Sequence, residues 1–320
     1  MSQETAKMRF VDPNILQLAM RGLFHLVRLP YYPFPAEISE EDGGIKRAKE
    51  LLRLGYGGIV TINHFALRDS VEMLACSSLA CREIFNAPII APVEMGQSIQ
   101  LPFITSVVGP LLGMSFYPVA NGDTMEKIAH GKLSPYAAGG RKIKEGDGTG
   151  AFLPAAMQAL RNGGLVELAP QLGRRNKLQI LPNPAGDDLK KIQGPIDTLL
   201  GRSRTTPKKV FFLTLSLSLI KNQKIGPRGI FRGDYSDINY SNHNGILLGQ
   251  KFQIVLGPTL THAEMIELAK RMNMTVDQIT LLTHALSVDP QLCDIDQDIL
   301  HDFLYHYIDV FPDIYSDARK

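Results

Sequence analysis

Cysteine is scarce in this chain. Cys76, Cys81 and Cys293 are the only three; they neither cluster at metal-ligand spacing nor form a disulfide framework, which argues against a cysteine-stapled secreted scaffold. A reducing compartment, the cytoplasm by default, is the expected home. A Gly-x-Ser-x-Gly elbow is absent, so nothing encourages a serine-nucleophile hydrolase. The glycine-rich stretch "YAAGGRKIKEGDGTG" lacks the Lys-Ser/Thr ending of a phosphate-binding loop and reads as a mobile connection. The first residues, "MSQETAKMRFVDPN", carry charges of both signs and no small-residue cleavage site behind an apolar core, so they do not resemble a signal peptide. The longest uncharged stretch, Met95 to Gly122, is interrupted by Pro102, Gly109, Pro110, Gly113 and Pro118. It reads as buried strands and turns rather than a transmembrane helix. No internal repeat is visible.

What is present is a chain of 320 residues, 44% hydrophobic, long enough to bury a sizeable core. The net charge of +2 hides an uneven distribution. Between Arg174 and Arg232 stand thirteen Lys or Arg against Asp187, Asp188 and Asp197. Such a surplus attracts an anionic membrane or another anionic partner, or is simply a solvated face. Nucleic acid is not expected, because no aromatic interleaving or recognition motif accompanies it. The last sixty residues instead accumulate aspartate: Asp289, Asp294, Asp296, Asp298, Asp302, Asp309, Asp313 and Asp317.

Hydrophobic periodicity divides the chain into three parts. In residues 1–44, Ile15, Leu18, Ala19, Gly22, Leu23, Leu26 and Val27 recur at helical spacing ahead of the aromatic "LPYYPFP". This is either a membrane-interface helix or a helix packed on the core. In residues 45–260, helices at Ile45–Leu54 and Phe152–Arg161 alternate with strands in "GIVTIN", "APIIAP", "SFYPVAN", "GGLVELAP", "KKVFFLTLSLSLI" and "KFQIVLGP". Asp69 followed by Glu72 resembles a capping box that starts a helix running to about Phe85. From Thr259 onward the pattern is helix only, so residues 261–320 read as an acidic helical extension. The alternation predicts an α/β fold with a mostly parallel central sheet flanked by helices.

One stretch carries the chemistry. In "GGIVTINHFALRDSVEM" a buried run stops at His64, with Asp69 five residues on. On a single helix the two would stand about 140° apart, so a turn must intervene. A strand ending at Asn63 and a helix starting near Asp69 let them meet over the strand's C-terminal end, where open α/β sheets bind ligands. There a carboxylate can hold one imidazole nitrogen while the other takes a proton from a hydroxyl. A second pair at the same spacing, His284 and Asp289, lies in the helical tail with nothing resembling a site around it.

The order "NHFALRD", "MSFYPVAN", "LAPQLGRR", "VFFLTLSLSL", "FQIVLGPTL" resembles the glycerolipid acyltransferase family, which includes glycerol-3-phosphate and 1-acylglycerol-3-phosphate acyltransferases, over about Ile45 to Leu260. The resemblance implies a catalytic dyad of His64 and Asp69. It implies direct acyl transfer from acyl-CoA or acyl carrier protein to a hydroxyl of a glycerol phosphate or lysophospholipid, in phospholipid synthesis at a membrane surface. The third block is usually Phe-Pro-Glu-Gly-Thr-Arg-Ser; Pro170 and Arg174 match it, while Gln171, Leu172 and Gly173 replace Glu-Gly-Thr. Asn121 stands where the second block normally ends in arginine. Arg174 and Arg175, with Gln171 and Asn121, are therefore the expected acceptor or phosphate contacts. The backbone N–H groups of Gln171 and Leu172 are the oxyanion candidates, since Pro170 has none. No cofactor or metal is expected, and no cysteine is cast as a nucleophile. The two departures leave open a non-catalytic lipid-binding relative of the same fold.

Overall fold

The computed structural model describes residues 37–40, 43–62, 85, 87–95, 106–107, 110, 113–136, 140–169, 196, 199–200, 209–219, 252–287 and 293–311. The segment expected to hold the N-terminal amphipathic helix, Ile15–Val27, and the helix expected from Asp69 to about Phe85 lie outside them, apart from Phe85 itself.

Among the described residues seven strands form the sheet: β1 (Glu37–Glu40), β2 (Gly57–Ile62), β3 (Ile89–Glu94), β4 (Met114–Val119), β5 (Leu165–Leu168), β6 (Val210–Leu219) and β7 (Phe252–Thr261). Their order is β1-β7-β6-β2-β5-β3-β4. Every neighbouring pair is parallel except β6 with β7. The strands from β6 to β4 therefore point the same way and end at one edge. The α/β class with a mostly parallel sheet is the architecture observed.

β2 shows why the sheet is built this way. All six of its residues are buried, as expected of a parallel strand covered on both faces. Gly57 is there because nothing larger fits: a Cβ on it would stand 2.2 Å from the Leu160 carbonyl oxygen. That oxygen belongs to α3 (Thr149–Arg161), which follows α1 (Gly44–Arg53) and α2 (Gly122–Ala129) in the chain. In α1, Gly44, Ala48, Leu51 and Leu52 are buried while Lys46, Lys49 and Arg53 are exposed. This is the i, i+4, i+7, i+8 stripe of an amphipathic helix, and burying each leucine contributes about 2 kcal/mol.

The opposite face of the sheet carries Ile59, Val166, Phe212 and Leu260 in one apolar cluster. Packed on it are α3 and the C-terminal helices α4 (His262–Met272), α5 (Val276–Ser287) and α6 (Gln297–Val310). Met265, Leu268, Ile279, Leu282, Phe303 and Tyr307 from those three helices belong to the same cluster as the strand residues. The helical tail thus shares the core of the α/β unit. Its aspartates do local work: Asp296 caps α6 by accepting from Asp298 N, Asp309 pairs with Arg271, and Asp277 accepts from Ile196 N at 3.1 Å.

Three features differ from the sequence expectation. Glu37–Glu40, in the part read as helical, is a strand paired in parallel with β7. β7 continues past Pro258 to Thr261, so the helix-only region begins at His262. It does so through a register shift opposite Leu213–Leu215, which accommodates Gly257 and Pro258. The loop read as a mobile connection is, where described, tied to the sheet. Ala120 N donates to Asp147 O at 2.8 Å and Gly146 N to Ala120 O at 2.7 Å, while Ile143 is buried. Gly148 closes it at φ +89°, where a Cβ would stand 1.9 Å from the Pro118 carbonyl oxygen.

Candidate functional site

The sheet's register sets what leaves its C-terminal edge side by side. β2 and β5 are adjacent and parallel, with Thr61 opposite Leu168. Two residues after Ile62 comes His64, and three after Leu168 comes Gln171. The lead-ins to the His-Asp segment and to the proline-arginine turn thus depart from neighbouring strands about 4.8 Å apart. His64, Asp69, Gln171, Leu172, Arg174 and Arg175 themselves lie outside the described residues.

Asn121 is described, at the same edge but beyond β4, three strands from β2. It is the N-cap of α2: its Oδ1 accepts from Thr124 N at 3.0 Å and lies 3.2 Å from Thr124 Oγ1. A cap of this kind satisfies a helix N–H that would otherwise lack a partner. The side chain at the position where the resemblance leads one to expect arginine therefore has a local structural task. The loop after α2 is held in a similar manner. The Asp147 carboxylate accepts from Lys144 N at 2.9 Å and from Arg141 at 3.1 Å, and these bonds, the backbone one first, lower its pKa.

Directly beneath the β2 edge lies a polar cluster that the sequence did not announce. His284, on α5, is fully buried. Its Nδ1 is 3.1 Å from Ser216 Oγ on β6, and its Nε2 is 3.0 Å from Thr61 Oγ1 on β2. Thr61 Oγ1 in turn donates to the Leu213 carbonyl, at 3.5 Å. One ring nitrogen donates its hydrogen to the hydroxyl beside it and the other accepts from its own, the tautomer setting which. Every member is then satisfied with a neutral ring. Burial pushes the His284 pKa down from 6.5 to about 3. Next to it, Thr283 donates to Thr280 O at 2.7 Å, which leaves Thr214, 3.0 Å away, to donate to Thr283.

Chemically, this cluster is a brace. Both ring nitrogens are committed, and Thr61, Ser216 and His284 are each fully buried, so the ring is not offered to a substrate. The signal for it in the sequence was faint: Thr61 in an apolar run, and Thr214 and Ser216 alternating with leucines in "FFLTLSLSL". Among the described residues no group of three His, Cys, Asp or Glu is arranged to hold a metal ion, and no helix is long and apolar enough to cross a membrane. In comparisons with known proteins, no family model matches the chain and no curated protein matches it.

Proposed function

We propose that the chain is an acyltransferase that moves a fatty acyl group from acyl-CoA or acyl carrier protein to a hydroxyl of a glycerol phosphate or lysophospholipid, at a membrane surface. The observation that carries this reading is the pairing of β2 with β5. Two segments matched to the acyltransferase motifs by resemblance follow adjacent parallel strands at the edge where open α/β sheets place ligands.

In this reading His64 takes the acceptor's hydroxyl proton, and Asp69 orients the ring and stabilises the imidazolium. The hydroxyl oxygen attacks the thioester carbonyl. The tetrahedral oxyanion is met by backbone N–H groups of Gln171 and Leu172. Its collapse breaks the C–S bond, leaves the new C–O ester bond, and lets the thiolate depart with the proton from His64. Arg174 and Arg175 hold the acceptor's phosphate by paired N–H contacts. No acyl-enzyme forms, because the dyad acts on the acceptor.

The test is thiol release from long-chain acyl-CoA and acyl carrier protein with a pool of glycerol phosphate and lysolipid acceptors. Wild type should turn over and His64→Ala should not. Turnover that survives in His64→Ala removes the dyad from the mechanism. A second reading, a lipid-binding relative without catalysis, is favoured by Gln171 at the third-block glutamate and by the capping task of Asn121. It predicts vesicle binding by wild type with no thiol release from either donor.

A further inference from the structure

The glycine-rich segment after α2 carries a charge pattern that the catalytic reading leaves unused. From Lys127 to Lys144 stand five Lys or Arg and no Asp or Glu. The chain forms two short antiparallel arms here, residues 132–136 and 140–144. Tyr136 and Lys142 face each other in a bridge, and Ile143 N donates to Pro135 O at 2.9 Å. The first arm is tied back to α2, since Lys132 N and Leu133 N both donate to Lys127 O. Leu133 and Ile143 are buried. The frame is therefore set before any partner arrives, and little ordering is left to oppose binding.

Burial alternates along the second arm, with Lys142 and Lys144 exposed on either side of Ile143. Successive side chains of an extended arm point to opposite sides, so both lysines share the outer side with Tyr136, the cross-strand partner of Lys142. Lys132 is exposed at the foot of the first arm, and Tyr136 is 56% exposed. Of the acidic residues that flank the arms, Glu126 lies 3.8 Å from His130, Glu145 is exposed, and Asp147 pairs with Arg141 at 3.1 Å. Among the described residues no carboxylate forms an ion pair with the ammonium of Lys132, Lys142 or Lys144.

Lysines left outside ion pairs around an exposed tyrosine suit a lipid surface better than a shaped ligand. An ammonium is a point charge that meets a phosphate from any direction, whereas paired contacts to one phosphate call on arginine. A tyrosine lies at headgroup level with its ring on the apolar side and its hydroxyl wet. The position fits as well. Gly146 N donates to Ala120 O, so the second arm ends beside the residue that follows β4. That is the edge at which β2 and β5 end, and β4 stands three strands, about 14 Å, from β2.

We propose that these two arms are a membrane-contact element, which sets Lys132, Tyr136, Lys142 and Lys144 against a bilayer carrying anionic headgroups. This contact deepens, and rests on, the reading of an acyltransferase at a membrane surface.

The experiment sediments the full chain with vesicles of phosphatidylcholine alone, or of phosphatidylcholine and phosphatidylglycerol at about two to one. Wild type should bind the mixed vesicles, and high salt should release it. Each lysine near an anionic surface is worth about fivefold in partition, so Lys142→Gln with Lys144→Gln should weaken binding about twentyfold. Lys49→Gln with Arg53→Gln, the same charge change on the exposed side of α1, should change it less. The chain has no tryptophan, so Tyr136→Trp and Tyr305→Trp each give a single fluorescent reporter. Mixed vesicles should shift the Tyr136→Trp emission to the blue and leave that of Tyr305→Trp, on α6, unchanged. Equal binding of the two vesicle types by wild type overturns the proposal, as does no binding of either. So does an equal loss in the two double variants, or binding that both retain, or a Tyr136→Trp emission that shifts no more than that of Tyr305→Trp. If the Lys142 and Lys144 variant fails to fold by circular dichroism, the emission comparison decides. Vesicle binding that depends on these arms, with no thiol release from either donor, upholds the contact and sinks the catalytic reading. Thiol release by wild type without such binding sinks the contact alone.

Discussion

A buried neutral histidine ties stability to pH, and the size of the effect follows from its pKa. In the folded chain His284 titrates at about 3, because burial disfavours the charged ring; unfolded, it returns to about 6.5. Between those values the unfolded state binds the extra proton, so stability falls as pH falls. Above pH 6.5 the term vanishes. By pH 5 it amounts to about 2 kcal/mol, and it levels off at about 5 kcal/mol below pH 3. The side chains bonded to the ring are hydroxyls. The only carboxyl on its own helix, Asp277, sits two turns away and accepts from Ile196 N. The assay is urea unfolding followed by circular dichroism at pH 7.5, 6.5, 5.5 and 5.0, before most carboxylates titrate. His284→Gln supplies an amide in place of the ring and removes the titration. Wild type should lose about 2 kcal/mol more than His284→Gln across this range. Parallel pH profiles for the two proteins would refute the assignment of a buried neutral ring.

Other perturbations probe the scaffold around the site. Gly148→Ala places a Cβ in a left-handed conformation and against the Pro118 carbonyl oxygen; unfolding should show a loss of more than about 2 kcal/mol, most of it absent in Gly150→Ala, which has open space. Thr261→Ala breaks a capping box in which Thr261 Oγ1 accepts from Glu264 N and Thr261 N donates to Glu264 Oε2; the expected loss is about 1 kcal/mol in urea unfolding. Arg47 pairs with Glu264 at 2.5 Å and lies over the Phe311 ring. Because the two side chains are 33% and 25% exposed, Arg47→Ala should cost only about 1 kcal/mol, shrinking in 0.5 M salt. Asn121→Ala removes the α2 cap and should cost about 1 kcal/mol in thermal or urea unfolding, whereas Asn121→Asp should retain it.

Much of the fold was legible because its signals are local. β2 is a six-residue apolar run rich in β-branched side chains, and α1 shows its buried stripe in the spacing of Ala48, Leu51 and Leu52. β6 was assigned from alternating leucines, although both of its faces prove to be covered from Val210 to Ser216. β1 was missed because "EISE" has neither the length nor the composition of an isolated strand; it is a strand because β7 offers it an edge. β7 was cut short because Gly257 and Pro258 read as a stop, and only pairing with β6 shows the register shift that absorbs them.

The candidate chemistry divides along the same line. Sequence alone singled out His64 and Asp69 by their place after a buried run, and the proline-arginine turn by its order in the chain. That β2 and β5, the strands these two segments follow in the chain, are neighbours is a fact of strand order, which no local pattern contains. His284 is the clearest case. Its spacing to Asp289 is only a motif match within one segment, whereas its actual partners are hydroxyls on two distant strands. Periodicity reports which face of an element is apolar, because that depends on residues a turn or two apart. Which polar groups meet inside the core depends on how the elements are stacked, and that is decided only when the helices close over the sheet.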